Sequence, residues 1–315
     1  MIDWLPDGVD PILGAYTVGI GGLLACAGLL LLVLDKLLHK QVRGVWRTYR
    51  GWLIMAPAVL GTLWLGREAT IVGVGLLSIL GFKEFARATG VYRDWWFTIA
   101  VYLGIVVLTA LAFVPDPHGG VLGWYGMYMA LPVFAIALLL TIPVLRNRTA
   151  GQLQRASLSI VGFVYLGWMF GHLGLLANSD NASGYLLFLI LAVELNDIAA
   201  FTFGKLFGKH PLRSEVSPNK TVEGSLGALA VSLALPWLLR SSLPDFGTTE
   251  LIVTGLIVGL GGQLGDLTIS FIKRDLGIKD MGALIPGHGG VLDRLDSLIF
   301  VAPLFFHMLR WFHGV

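Results

Sequence analysis

The stretch PILGAYTVGIGGLLACAGLLLLVL, residues 11–34, runs for 24 residues without a charge. As a helix it extends about 36 Å, longer than the roughly 30 Å hydrocarbon layer of a bilayer. The whole composition agrees with that setting. Of 315 residues 56% are hydrophobic and 13% charged, and the mean hydropathy is +0.77, beyond what a soluble domain of this length carries. The preceding MIDWLPDGVD is acidic and lacks the basic start and Ala-x-Ala type cleavage site of a signal peptide. The first apolar run is therefore expected to stay in the mature protein.

Outward from this run, further apolar stretches lie near 52–65, 70–82, 97–114, 122–144, 157–177, 184–203, 225–240, 250–272 and 297–312. They predict an all-α, polytopic integral membrane protein of nine or ten transmembrane helices, the short second and third runs being readable as one broken hairpin. Charge orders the loops, because basic residues in short loops stay cytoplasmic. Alternate loops collect Lys36, Lys40, Arg43, Arg47 and Arg50, then Lys83, Arg87 and Arg93, then Arg146, Arg148 and Arg155. The next two collect Lys205, Lys209, Arg213 and Lys220, and Lys273, Arg274, Lys279 and Arg294; together these are 19 of the 22 basic residues. The opposite loops, VPDPHGG, NSDNASG and SSLPDFGTTE, are short and neutral to acidic. The expected orientation has the N-terminus outside and the charged loops in the cytoplasm, as for a protein of the bacterial inner membrane.

Without repeats, low-complexity tracts or linkers, the chain reads as one polytopic domain, 1–315, with its chemistry gathered in about 190–300. Cys26 is the only cysteine, which excludes a disulfide within the chain and argues against a thiolate metal site. A net charge of +2 with dispersed basic residues gives no nucleic-acid footprint. The segment DKLLHKQVRGVWRTYRGW, residues 35–52, interleaves Leu, Val and Trp with Lys and Arg. It reads either as a helix lying on the cytoplasmic leaflet or as a plain topology signal.

An Asp at a helix centre costs about 2.5–3.5 kcal/mol on insertion scales, so acidic residues within apolar runs are informative. In GLGGQLGDLTISFIKRD, Gly262, Asp266, Ser270 and Lys273 share one helical face. Glu194 and Asp197 are three apart and share another. Asp266 reads as a metal ligand or as the ion partner of Lys273 or Arg274, and Glu194 equally as a hydrogen-bonding residue between helices.

Eight ionised side chains, one His and clustered glycines follow in SFIKRDLGIKDMGALIPGHGGVLDRLDS, residues 270–297. Gly287, Gly289 and Gly290 let backbone amides approach an anion, and a helix starting near Val291 would point its positive end there. Asp293 and Asp296 fall in its first turn and repel one another unless a cation sits between them. With Asp266 they make a hard-oxygen set suited to Mg²⁺ rather than zinc. Lys273, Arg274, Lys279 and Arg294 supply positive charge for phosphoryl groups, although such residues also form ordinary surface ion pairs. A second loop, GKLFGKHPLRSEVSPNKTVEG, residues 204–224, brings together Ser217, Asn219, Lys220 and Thr221 without Walker A glycine spacing.

The run SFIKRDLGIKDMGALIPGHGGVLDRLD closely resembles the C-terminal signature of phosphatidate cytidylyltransferases: S-x-x-K-R, K-D, P-G-H-G-G and D-R-x-D. FGKLFGKHPLRSEVSPNKTVEG resembles that family's F-G-x-x-F-G-K and S-P-x-K-T-x-E-G segments. The resemblance spans roughly 190–300 and implies transfer of a cytidylyl group from CTP to phosphatidate, giving CDP-diacylglycerol and pyrophosphate. It implies Asp266 and Asp293 as metal ligands for Mg²⁺, with a monovalent cation such as K⁺ nearby and Asp296 and Asp197 as further candidate ligands. Lys273, Arg274 and His288 are expected in the catalytic machinery. Ser217, Asn219, Lys220, Thr221, Lys279, Gly289, Gly290 and Arg294 are expected around nucleotide and lipid phosphates.

The expected partners are CTP, phosphatidate and the bilayer, with a homodimer compatible with the reading. Three departures stand out: Ile269 where family members often carry Glu, DIAAF for D-T-G-A-Y, and Val222 for Trp. Ile269 removes one carboxylate from the set expected to hold the second cation, and a divergent paralogue of the housekeeping enzyme fits this pattern. The competing readings are a CTP-dependent lipid kinase acting on a polyprenol- or phytol-like alcohol, and a transporter using Asp266 and Glu194. Against the transporter, the polar residues gather at one face without paired broken helices at the midplane.

Overall fold

Asp10 and Pro11 start the first helix. The Asp10 carboxylate accepts hydrogen bonds from the Ile12 and Leu13 amides at 2.9 and 3.4 Å, and Pro11 has no N–H to leave unpaired. The computed structural model describes residues 10–37, 42–117, 123–285, 287 and 289–314. Along them run α1 (Pro11–Leu32), α2 (Arg43–Trp64), α3 (Arg67–Thr89), α4 (Trp95–Phe113), α5 (Tyr125–Leu145), α6 (Gln152–Gly162), α7 (Phe170–Leu176) and α8 (Ala182–Phe207). A hairpin of β1 (Pro211–Arg213) and β2 (Ser217–Thr221) follows, then α9 (Val222–Leu238), α10 (Thr248–Leu256), α11 (Gly262–Asp275) and α12 (Leu292–His313). Wider π-helical turns join α6 to α7 and α10 to α11, so that Gln152–Leu176 and Thr248–Asp275 are continuous spans.

Eight spans are long and apolar enough to cross a membrane, so the chain is an all-α integral membrane protein. The shorter α9 and the arginine-bearing α2 bring the helical segments to ten among the described residues. The broken hairpin allowed for 52–82 does not form. Gly66, at φ +92°, makes a tight turn between two full helices, and the basic residues Arg43, Arg47 and Arg50 are the opening turns of α2. Residues 38–41 of that basic segment lie outside the described residues.

The core lies between α3, α4, the Gln152–Leu176 span, α8 and α12, where Phe82, Phe85, Phe97, Phe163, Phe188 and Phe305 are buried. Leu23, Phe134 and Leu138 point outward, as side chains facing lipid do. Two close helix crossings position the chemistry. A Cβ on Gly224 would meet the Ala200 carbonyl oxygen at 2.6 Å and the Gly204 Cα at 3.0 Å, so these glycines let α9 lie against α8. A Cβ on Gly265 would meet the Ser297 Cα at 2.9 Å and run into the Asp296 carbonyl. Only glycine allows α11 that close to α12, and the crossing falls beside Asp266 and Asp296.

Candidate active site

Three segments far apart in sequence converge at one end of α8, α9, α11 and α12. The hairpin is the first. Pro211 pairs with Thr221 and Arg213 with Ser217, and Thr221 ends β2 by capping α9, its hydroxyl accepting from the Gly224 amide at 3.1 Å. The Glu223 carboxylate accepts from the Lys209 and His210 amides at 3.0 and 3.2 Å and meets the His210 ring at 2.6 Å. Thr221, Glu223 and Gly224 of S-P-x-K-T-x-E-G are thus occupied with folding the loop. Ser217 and Asn219 make no side-chain hydrogen bond among the described residues; Asn219 is exposed, and Ser217 and Lys220 are half-buried.

Lys220 reaches from the hairpin to α11 and forms an ion pair with Asp266. Among the described residues Asp266 pairs with neither Lys273 nor Arg274, the ion partners the sequence also offered. Ser270, one turn on, donates to its carboxylate at 3.2 Å. Lys273 crosses to α12 and pairs with Asp293 Oδ1 at 2.9 Å. Asp293 Oδ2 accepts from the Met281 and Gly290 amides, both at 2.9 Å. Asp266, Asp197 and Asp296, from α11, α8 and α12, are within electrostatic reach of one another, and Arg294 acts on Asp197 and Glu194 from the α12 side. Arg274 and Lys279 are exposed at the end of α11 and in the loop after it.

The amides at the start of α12 differ from the anion cradle expected there. Val291 and Leu292 donate to the two oxygens of Glu84 at 3.1 and 2.9 Å, and Gly290 donates to Asp293. A protein carboxylate from α3 holds the helix's positive end, with Gly282 and Gly290 packed against it so closely that a Cβ on either would collide. Gly289, at φ +80°, turns the loop, and its carbonyl accepts from Ile285 at 2.9 Å. Gly287, at φ +76°, abuts the Arg47–Thr48 backbone of α2. The glycines serve loop geometry here, and His288 lies outside the described residues.

Two residues near this cluster escaped the sequence reading. Glu84 sat in a charged loop with nothing in the sequence to tie it to residues 290–292. Tyr165 came from an apolar run; it lies within reach of Asp266 and Asp296, and its hydroxyl donates to the Gly265 carbonyl at 3.4 Å. Ile269, where a carboxylate was expected, is fully buried in the apolar core.

The fold and the polar end together define a membrane-embedded protein built to handle anionic groups beside lipid. The cytidylyltransferase family model matches residues 46–312, and the chain belongs to that family. It is 31% identical to the Escherichia coli (strain K12) protein YnbB, described as uncharacterized, over 84% of this chain and 86% of YnbB. It is 33% identical to a phosphatidate cytidylyltransferase of Staphylococcus haemolyticus (strain JCSC1435), over 80% of this chain and 92% of that protein. A phosphatidate cytidylyltransferase of Staphylococcus saprophyticus is 36% identical over 64% of this chain and 75% of its own length.

Proposed function

We propose that the chain transfers the cytidylyl group of CTP to phosphatidate, forming CDP-diacylglycerol and pyrophosphate at the cytoplasmic face of a bacterial inner membrane. The observation that carries this reading is the paired arrangement of Lys220 with Asp266 and Lys273 with Asp293. Two signature carboxylates each show an oxygen to an ammonium group, on the end of the bundle where the sequence's basic loops gather.

The same pairs bear on the implied Mg²⁺. Hard carboxylate donors suit that ion, which takes one or two of them together with water and phosphate oxygens. The two lysines stand where counter-cations are needed, although among the described residues no three His, Cys, Asp or Glu side chains close around a metal position. One or two of the candidate carboxylates Asp266, Asp293, Asp296 and Asp197 would hold it, with water and phosphate oxygens completing its shell. When bound it would neutralise charge on the reacting phosphates. A monovalent cation such as K⁺ is expected beside it, with fewer carboxylates to hold it because Ile269 is apolar.

The protein's own residues supply positioning and charge. A phosphatidate oxygen, already ionised near neutral pH, forms a bond to the α-phosphorus of CTP as the bond to the bridging oxygen breaks, and that electron pair leaves with pyrophosphate. No strong general base is required. Lys220 and Lys273, released from their carboxylates, face the phosphates; Ser217, Asn219, Arg274, Lys279 and Arg294 surround them. Purified protein incubated with CTP, Mg²⁺ and phosphatidate should release pyrophosphate and a CDP-lipid. Release of CDP from a parallel incubation with a polyprenol- or phytol-like alcohol, with the alcohol converted to its phosphate and phosphatidate left unchanged in the first, would replace this reading with the kinase.

A further inference from the structure

The start of α4, the end of α5 and the turn into α6 line an open pocket of about 600 Å³ that shares no residue with the candidate active site. Arg93, Arg146, Arg148 and Arg155 line it, with Trp95 and Trp96 at its edge and Asp94 as its one acidic group. Asp94 is buried. Its carboxylate takes both oxygens to Arg146 Nη1 at 2.8 Å and one to Arg155 Nη1 at 2.9 Å. Arg93 and Arg148 are exposed and have no carboxylate partner among the described residues. One negative charge therefore faces four guanidinium groups, two of them paired with Asp94 and two without a carboxylate.

The pocket's mouth is apolar. Trp95 and Trp96 stack with ring centroids 4.5 Å apart and are about half exposed, Arg146 lies 5.9 Å from the Trp96 ring, and Leu145 projects outward. Exposed tryptophans at the ends of apolar spans mark the level of lipid headgroups. Guanidinium forks match phosphate oxygens, and a basic site at that level attracts anionic lipid. The α4 helix packs against α3, α5, α6 and α7, while the active site is built on α8, α9, α11 and α12.

We propose that this pocket binds the phosphate headgroup of an anionic phospholipid from the surrounding leaflet, as a site separate from the one where chemistry occurs. Free phosphate would use the guanidinium groups but not the tryptophan and leucine rim, and a nucleotide could stack its base on a tryptophan but would leave Leu145 unused.

The test uses the full-length protein in neutral detergent with phosphatidylglycerol or phosphatidylcholine added, read by native mass spectrometry beside the double variant Arg93→Gln/Arg148→Gln. The wild type should retain one phosphatidylglycerol in preference to phosphatidylcholine. The double variant should bind it about 25-fold more weakly, about fivefold for each arginine removed, with turnover unchanged. Arg148→Gln alone, on the exposed turn, should show the fivefold step if the double variant is unstable. Equal retention by wild type and variants would overturn the proposal. So would displacement of the lipid by millimolar inorganic phosphate or by CTP, because the occupant would then be a soluble anion.

Discussion

Two polar regions occupy this chain, and they are balanced differently. At the candidate active site two buried or half-buried lysines are each matched by a carboxylate, Lys220 by Asp266 and Lys273 by Asp293. At the α4–α6 pocket a single Asp94 serves four arginines. Paired charges within a membrane protein lower the cost of holding ionised groups among apolar helices. They can also exchange partners when an anion and its cation arrive together. A surplus of one sign at the bilayer surface calls for a standing counter-charge instead. The first arrangement suits turnover and the second suits retention.

The largest expected effect separates them at once. Asp293→Asn should lower turnover at least about a hundredfold, because the amide loses both the pair to Lys273 and the capacity to hold Mg²⁺ against phosphate. It should still elute from detergent as a folded protein, with a lower melting temperature because the buried carboxylate also accepts from Lys273 and from the Met281 and Gly290 amides. A variant keeping more than about a tenth of the rate would place less than 1.4 kcal/mol of barrier on this carboxylate. Lys220→Ala comes next, with about a tenfold loss in kcat/KM from one charge-assisted phosphate contact, measured at subsaturating CTP. Raised CTP should recover the rate in part, because the leaving pyrophosphate gains charge as the bond breaks. Unchanged kinetics would remove the hairpin from the site.

Glu84→Gln should act more mildly, about fivefold on turnover. The amide keeps an acceptor for Val291 or Leu292 but gives up the negative charge at the start of α12. A steady-state assay with a melting curve distinguishes a shifted loop from an unfolded chain.

The smallest effect on chemistry belongs to Asp94. Burial works to raise its pKa, but the hydrogen bonds and charges of Arg146 and Arg155 outweigh burial and hold it below the ordinary value of 3.8. The stability it contributes is complete above the unfolded-state value and disappears as pH falls through the lower folded-state value. Asp94→Asn should therefore melt earlier than wild type at pH 7, with the gap closing below about pH 4. Activity per folded molecule should be the same. A gap independent of pH would mean that the arginine pairs contribute nothing to stability.

The apolar runs made the helices legible, because a bilayer leaves so little freedom in span length. The boundaries moved where polar residues continue a helix past the lipid, as at Lys83–Thr89 of α3 and Arg43–Gly51 of α2. Asp266 and Lys273 were legible because charge is costly there, and the one-face spacing was right for Asp266 and Ser270. Their partners were not legible. The Lys220–Asp266 pair depends on how a hairpin folds back, and the Glu84 cap joins positions 207 apart in sequence. Sequence spacing reports neighbours along a helix; contacts between helices depend on glycine crossings such as Gly204–Gly224 and Gly265–Ser297. The partners of the amides at 290–292 were not legible for the same reason: Asp293 and Glu84 accept from them, which no local pattern announces.

The central claim is that the paired end of the bundle performs cytidylyl transfer, and the fate of α-labelled CTP tests it directly. With phosphatidate and Mg²⁺, wild-type protein should move the label into a lipid-extractable CDP-diacylglycerol. Asp266→Asn, purified alongside and eluting as the wild type does, should move none above background. Label left in water-soluble nucleotide by active wild-type protein, or transfer by Asp266→Asn at more than about a tenth of the wild-type rate, would contradict the account.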